Sequence, residues 1–404
     1  MGEWRIHNAR VLDPKRGLVA GAVRLSEGRI AQLDPPEAAA DSAARVLDAG
    51  GRLLTPGLID LHIHGIEHHL FEASPDDLVA GLAALARHGV TTVLPTLYRS
   101  MDRTHLPALR ELTAALGDDV AIDVPGFHLE GPFLKLAGAG AATMAGDLDL
   151  LESLLDTTDG RAAAMSISPD TADIVPVVRR LSECGIASFI THTQASVEQT
   201  VDAIEAGARH GTHFYDVFPA PTETDPGVRP VGAVETLLAD PRVSVDFIPD
   251  GVHVHPMAIR AALAAKGSER IVAITDANLG AGLDPGVYDT PWGFPVRIEP
   301  GKATRIHEPG TERDGMLAGS SLTLPAAIAN LRRWLDLPEH EVWAMATANP
   351  AAVMGWTDKG RIEPGFDADL VLWDEDADGS LTAVGVWSRG RLVHETDAAM
   401  EPRP

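Results

Sequence analysis

From about residue 56 to residue 360, short apolar and β-branched runs alternate with longer stretches of helical period. This alternation restricts the fold more than any other feature of the chain. Strand-like runs fall at 92–94, 122–124, 163–167, 187–190, 243–247 and 271–274, and the period predicts helices over 75–88, 104–116, 171–184, 197–206, 256–266 and 324–335. Strands and helices taken in turn mean a parallel sheet covered by helices. Residues able to do chemistry stand at the ends of many of these strands, which favours a closed barrel over an open sheet with a single switch point. The two ends of the chain read differently. Residues 1–55 hold short alternating runs at 22–26 and 29–33, and residues 361–404 return to that style at 368–373 and 384–388. The expectation is an α/β chain: a TIM-like (β/α)8 barrel over 56–360, and a small β-sandwich domain formed by the N- and C-terminal segments, 1–55 and 361–404. The Gly- and Pro-rich segment 281–315 is expected to leave the barrel as a hairpin before the last helix.

Charge narrows the choice of partner. The 404 residues include 58 acidic and 33 basic side chains, for a formal net charge of −25. A surface this acidic argues against nucleic acid, whose phosphates need clustered Lys and Arg. The single cysteine, Cys184, cannot form an intramolecular disulfide and fits a reducing cytosol. No run approaches the ~18 apolar residues of a membrane span, and the N-terminus has no apolar leader core. The reading is a soluble cytoplasmic protein acting on a small molecule, with neither nucleic acid nor membrane as partner.

Six residues at strand ends carry the chemistry. His62 and His64 are alternate residues on one apolar run, so their imidazoles face the same way. Glu130 closes the run Gly126-Phe-His-Leu129 before Gly131-Pro132, and a buried carboxylate there needs a cation. His192 and His213 follow successive strand-like runs 21 residues apart, the length of one βα unit. With Glu130 they make a three-ligand set that leaves a position for water. Asp276, after Ile271-Val-Ala-Ile-Thr275, is placed to act as general base beside a metal-activated water. Imidazole and carboxylate donors suit one or two divalent ions, zinc first, with iron, manganese or cobalt as alternatives. Of His253 and His255, one is expected to contact substrate and the other to be structural; His128 is expected to pack. The stretch Leu317-Ala-Gly-Ser-Ser321 is expected to let a ligand come close while a serine caps the helix that follows.

Taken in order, Pro56-Gly-Leu-Ile-Asp-Leu-His-Ile-His-Gly65, His128-Leu-Glu-Gly-Pro-Phe133, Thr191-His192, Thr212-His-Phe-Tyr215, Asp250-Gly-Val-His253, Thr275-Asp-Ala277 and Leu317-Ala-Gly-Ser-Ser321 resemble the amidohydrolase superfamily, and more narrowly the N-acetylglucosamine-6-phosphate deacetylases. Asn349-Pro-Ala-Ala352 and the stretch 360–370 resemble the superfamily's usual ending. The resemblance implies Glu130, His192 and His213 as the main metal ligands, with the retained His62 and His64 allowing a second ion. It also implies Asp276 as the catalytic acid and base, His253 as a substrate contact, and a homodimer. The departures cluster in the substrate pocket. The stretch 136–142 lacks the family's histidine, and Asp216, followed by Val217, stands where a sugar-binding Asn is expected. Thr224-Asp-Pro-Gly227 lacks the family's phosphate-binding arginine, for which Arg229 is the nearby substitute. Candidate substrate contacts are thus Asp216, Val217, Arg229, His253 and Leu317. The expected reaction is removal of the acetyl group from an N-acetylated amino sugar. The alternatives are hydrolysis of another N-acyl or cyclic amide, or a silent relative that binds sugar or metal.

Overall fold

The computed structural model describes residues 2–14, 17–34, 44–99, 101–117, 119–138 and 140–397. Eight parallel strands stand side by side in chain order: β1 (Leu58–Ile63), β2 (Val90–Leu97), β3 (Phe127–Glu130), β4 (Ala162–Ile167), β5 (Ala187–Ile190), β6 (His210–Gly211), β7 (Ser244–Phe247) and β8 (Ile271–Ala273). All residues of β1, β2 and β3 are buried, as strands must be when helices cover one face and neighbouring strands fill the other. β8 and β1 close the ring without a regular ladder. At the upper end Asp276 N–H donates to the His62 carbonyl (2.9 Å) and His64 N–H to that of Ala277 (2.9 Å). At the lower end the carbonyls of Met345 and Ala346 accept from Ala273 (2.8 Å) and Ile59 (2.9 Å), so the turn between helices Glu339–Ala344 and Ala348–Val353 plugs the seam.

The covering helices begin where local chemistry allows. Ser74 accepts from Asp77 N–H ahead of Pro75–Arg87, and Ser196 forms a capping box with Gln199 ahead of Val197–Ala206. Thr323, with no side-chain cap bond, precedes Leu324–Trp334. The expected serine cap is absent: Ser320 accepts from Leu322 N–H, and Ser321 donates to the Lys302 carbonyl. The run 122–124 is not a strand either; it contributes one bridge, Thr92 to Asp123, and the true strand starts at Phe127. Pro125 has no N–H to give a ladder, so pairing resumes only beyond it. The 281–315 excursion carries three short antiparallel strands, Gly286–Tyr288, Val296–Ile298 and Arg305–Ile306, where a hairpin was expected.

The terminal strands pair into a separate sheet. Leu53–Pro56 lies between Trp4–Asp13 and Leu370–Glu375, so one sheet joins both ends of the chain. It has its own core, including Ile6, Val23, Leu25, Ile30, Leu372 and Trp387. Trp373 joins this sheet to the barrel: its indole packs 5.8 Å from Trp343 and its Nε1–H donates to Thr55 Oγ1 (2.8 Å). Lys359, buried at the same joint, sits within 3.0 Å of carboxylate oxygens of Asp123, Asp367 and Asp369.

Candidate active site

The upper, C-terminal ends of the barrel strands bring His62, His64, Glu130, His192, His213 and Asp276 together. Glu130 is the hub. Its Oε1 lies 3.3 Å from both His192 Nε2 and His213 Nε2 and 3.7 Å from His62 Nε2, and its Oε2 lies 3.4 Å from His64 Nε2. Asp276 Oδ1 is 3.1 Å from His64 Nε2 and 3.6 Å from His62 Nε2. Donor atoms of His62, Glu130 and His213 lie within 4.8 Å of one another, and so do those of His62, His64 and Asp276. His192, His213 and Asp276 all hold positive φ, 49°, 33° and 46°, a conformation that costs a non-glycine residue energy and clusters at functional positions.

Several of the rings are oriented from behind. His64 Nδ1–H donates to the Thr96 carbonyl (3.1 Å) and His192 Nδ1–H to that of Leu136 (3.0 Å), turning both Nε2 atoms toward Glu130. Below them lie two buried carboxylates. Asp60 accepts from Thr275 Oγ1–H (2.7 Å) and from the N–H of His62 (3.2 Å). Asp246 accepts from Thr212 Oγ1–H (2.8 Å), from His210 (2.8 Å) and from the N–H of His213. Both interrupt apolar strands, a sequence signal for a structural carboxylate that went unread. His128 bonds the Leu61 carbonyl and Ser166 and packs edge-on against the His62 ring, 4.7 Å between centroids, and His255 caps Pro256–Lys266.

Charge balance at the centre follows from burial and proximity. Burial opposes the charge on Glu130, but His62, His192 and His213 outweigh it and hold the carboxyl well below its ordinary value. Asp276 is likewise drawn down to about 2 against burial, mainly by its bond to His64. Burial also disfavours charge on His64 and His213, yet the bonds to Asp276 and Glu130 lift them to about 9 and about 10. Burial dominates only for His62, which is pushed far down; its Nε2 is fully enclosed without a hydrogen-bond partner. A neutral imidazole nitrogen left bare beside two ionised carboxylates is the donor arrangement a divalent cation requires. The residues present fit one or two such ions.

The cluster forms the floor of a cavity of about 730 Å³, within the usual range for small-molecule sites. Asp216, Val217, His253 and Leu317 line it; His253 Nδ1–H is held by Asp250 (2.6 Å). Arg229 does not line it. Its side chain is 77% exposed and its guanidinium is taken by Glu235 at 2.6 Å, because the loop that bears it runs along the surface. Sequence reading missed further wall residues, among them Arg99, Gly138, Trp292 and Phe294. At Gly138 a Cβ would sit 2.1 Å from the His192 ring, a close approach that only the fold reveals. All four come from loop segments without a local sequence signal.

Residues 53–395 match the amidohydrolase family. The chain is 32% identical over 357 residues to the N-acetylglucosamine-6-phosphate deacetylase of Vibrio furnissii, covering 87% of this chain and 84% of that one. It is 28% identical over 391 residues to the N-acetylgalactosamine-6-phosphate deacetylase of Escherichia coli O157:H7, covering 95% and 97%. Among solved structures, an N-acetyl-D-glucosamine-6-phosphate deacetylase from Mycobacterium smegmatis, in complex with N-acetyl-D-glucosamine-6-phosphate, superposes with a TM-score of 0.80 at 28% identity over 97% of this chain and 100% of that one. With its barrel, its convergent imidazoles and carboxylates and a match that spans most of its length, the chain belongs to the amidohydrolase family.

Proposed function

We propose that this protein is a metal-dependent deacetylase of N-acetylated amino sugars. The observation that carries the reading is the convergence of four imidazoles and two carboxylates at one barrel mouth, with the His62 Nε2 bare among them. Sequence relatives named for phosphosugar deacetylation support the acetamide as the bond cleaved. Glu130, His192 and His213 hold the principal ion, zinc first, and His62 and His64 extend the site toward a second. A divalent cation bound there supplies Lewis acidity, polarising the acyl oxygen and lowering the pKa of water.

The side chains do the rest. Asp276 takes the proton of water as its oxygen attacks the acetyl carbon. It then gives that proton to the sugar nitrogen as the C–N bond breaks, leaving acetate and a free amine. Its carboxylate is ionised before the reaction because His64 and His62 draw its pKa down. His253, held through Nδ1 by Asp250, offers its other nitrogen to the substrate. Asp216 accepts sugar hydroxyls, while Val217 and Leu317 shape the walls. The protein works in the cytosol as a homodimer, with the barrel over 56–360 and the small domain over 1–55 and 361–404.

The test is acetate release by zinc-loaded protein from N-acetylglucosamine, N-acetylgalactosamine and their 6-phosphates. Turnover of any of them, abolished by chelation and restored by zinc, is the expected result; no acetate from all four ends the proposal. Asp276→Asn should lower kcat by about 10²–10⁴-fold with zinc content unchanged by elemental analysis.

A further inference from the structure

The cavity is electrically lopsided. Asp216 follows β6 and lines the cavity, and Asp250 follows β7 behind the lining His253, so that side of the mouth carries carboxylate charge and no lysine or arginine among the described lining residues. Arg99 follows β2 and is the only arginine or lysine among the described residues that line the cavity. In a ring of eight strands, β2 and β6 stand four places apart, on opposite sides of the mouth.

The turn that bears Arg99 is anchored by its backbone. The Glu72 carboxylate accepts from Tyr98 N–H (2.9 Å) and Arg99 N–H (3.1 Å). The guanidinium itself makes no ion pair among the described residues. Across the cavity wall lies a flat apolar surface: Trp292 stacks on Phe294 at 5.7 Å and 27°, and both rings line the cavity with Tyr98 and Arg99. A fixed turn, a spare guanidinium and an aromatic platform together suit a ring-shaped molecule with an acidic substituent, because guanidinium binds oxyanions in bidentate fashion.

Resting on the deacetylase reading above, we infer that Arg99 is the anion-recognising residue of this site, and that the substrate is an N-acetylated amino sugar with an acidic group, phosphate or carboxylate, directed to the β2 side. The 219–231 loop cannot serve that purpose as it stands. Arg229 is bound to Glu235, and Asp216 at the foot of the loop would repel an anion. The substrate's charged end thus points away from β6, and the sugar face lies on Trp292.

The experiment uses full-length zinc-loaded protein and measures kcat and KM for acetate release from N-acetylglucosamine, its 6-phosphate and N-acetylglucosaminuronic acid, which carries a C6 carboxylate. Wild type should prefer an acidic sugar, and which one identifies the oxyanion. Arg99→Ala should cut the acidic-to-neutral ratio of kcat/KM by about ten- to hundredfold, chiefly through KM, and Arg99→Lys should restore part of it. Arg103→Ala, a surface neighbour bonded to Asp147 and Ser153, should keep the wild-type ratio. A wild-type preference for the neutral sugar, or a ratio unchanged in Arg99→Ala, overturns the inference. If no sugar releases acetate, the deacetylase reading fails and calorimetric titration decides on Arg99. Tighter binding of glucosamine 6-phosphate than glucosamine, lost in Arg99→Ala, upholds an anion site; equal or absent binding removes it.

Discussion

His62 keeps its Nε2 buried with nothing to bond, a condition that costs about 1–3 kcal/mol in a protein interior. Its neighbours are held in place at some expense too, three of them at positive φ. Asp246 secures this arrangement through Thr212 and the His213 backbone, so Asp246→Asn should weaken zinc binding by about 10–100-fold in a competition titration; an unchanged affinity would show that the ring positions do not depend on it. Glu67 lies outside this chemistry but responds to acid. Its bond to His88, helped by Arg87 and opposed by burial, lowers its pKa to about 2. A carboxylate with a depressed pKa stabilises the fold above its unfolded value near 4.5 and loses that contribution as pH falls toward 2. Glu67→Gln should therefore flatten the fall in urea midpoint across that window and leave the slope elsewhere alone.

The stretch 136–138 shows how an element can matter through what it lacks. It passes so close to His192 that only glycine fits at 138, and the Leu136 carbonyl fixes the ring. Gly138→Ala should displace one or the other, costing about 1–3 kcal/mol in thermal unfolding and much of the bound zinc; retention of both would mean that the loop yields freely. Strands, most helices and all six centre residues were legible in the sequence, because apolar β-branched runs and strand-end His, Glu and Asp are local signals. What was not legible depended on distance or on local detail. Arg99, Trp292 and Phe294 reach the cavity from loops whose paths the whole fold decides. Pro125 shifted a strand by a few residues, and helix 324–334 began without the serine cap its sequence suggested. Helix Leu148–Thr158 escaped notice although Asp147 caps it well.

At the scale of the molecule, the six convergent imidazoles and carboxylates come from β1, β3, β5, β6 and the end of β8, so an ion held there as proposed would tie these strands together, and removing it should loosen the whole barrel. Chelation is expected to lower Tm by about 5 °C, since ligand bound at a thousandfold excess over Kd contributes about 4 kcal/mol; a shift near zero would place the ion outside the structural framework. The terminal sheet raises a different matter, one of timing. Leu53–Pro56 meets Trp4–Asp13 on one side and Leu370–Glu375 on the other. On the ribosome its first partner exists at once, but at 5–20 residues per second the second is made roughly 15–60 s later. Throughout that interval a strand of Leu, Leu, Thr and Pro shows a bare edge, the kind of surface on which chains stick to one another. Production of this protein should accordingly be limited by translation speed and chaperone supply more than by the stability of the finished fold.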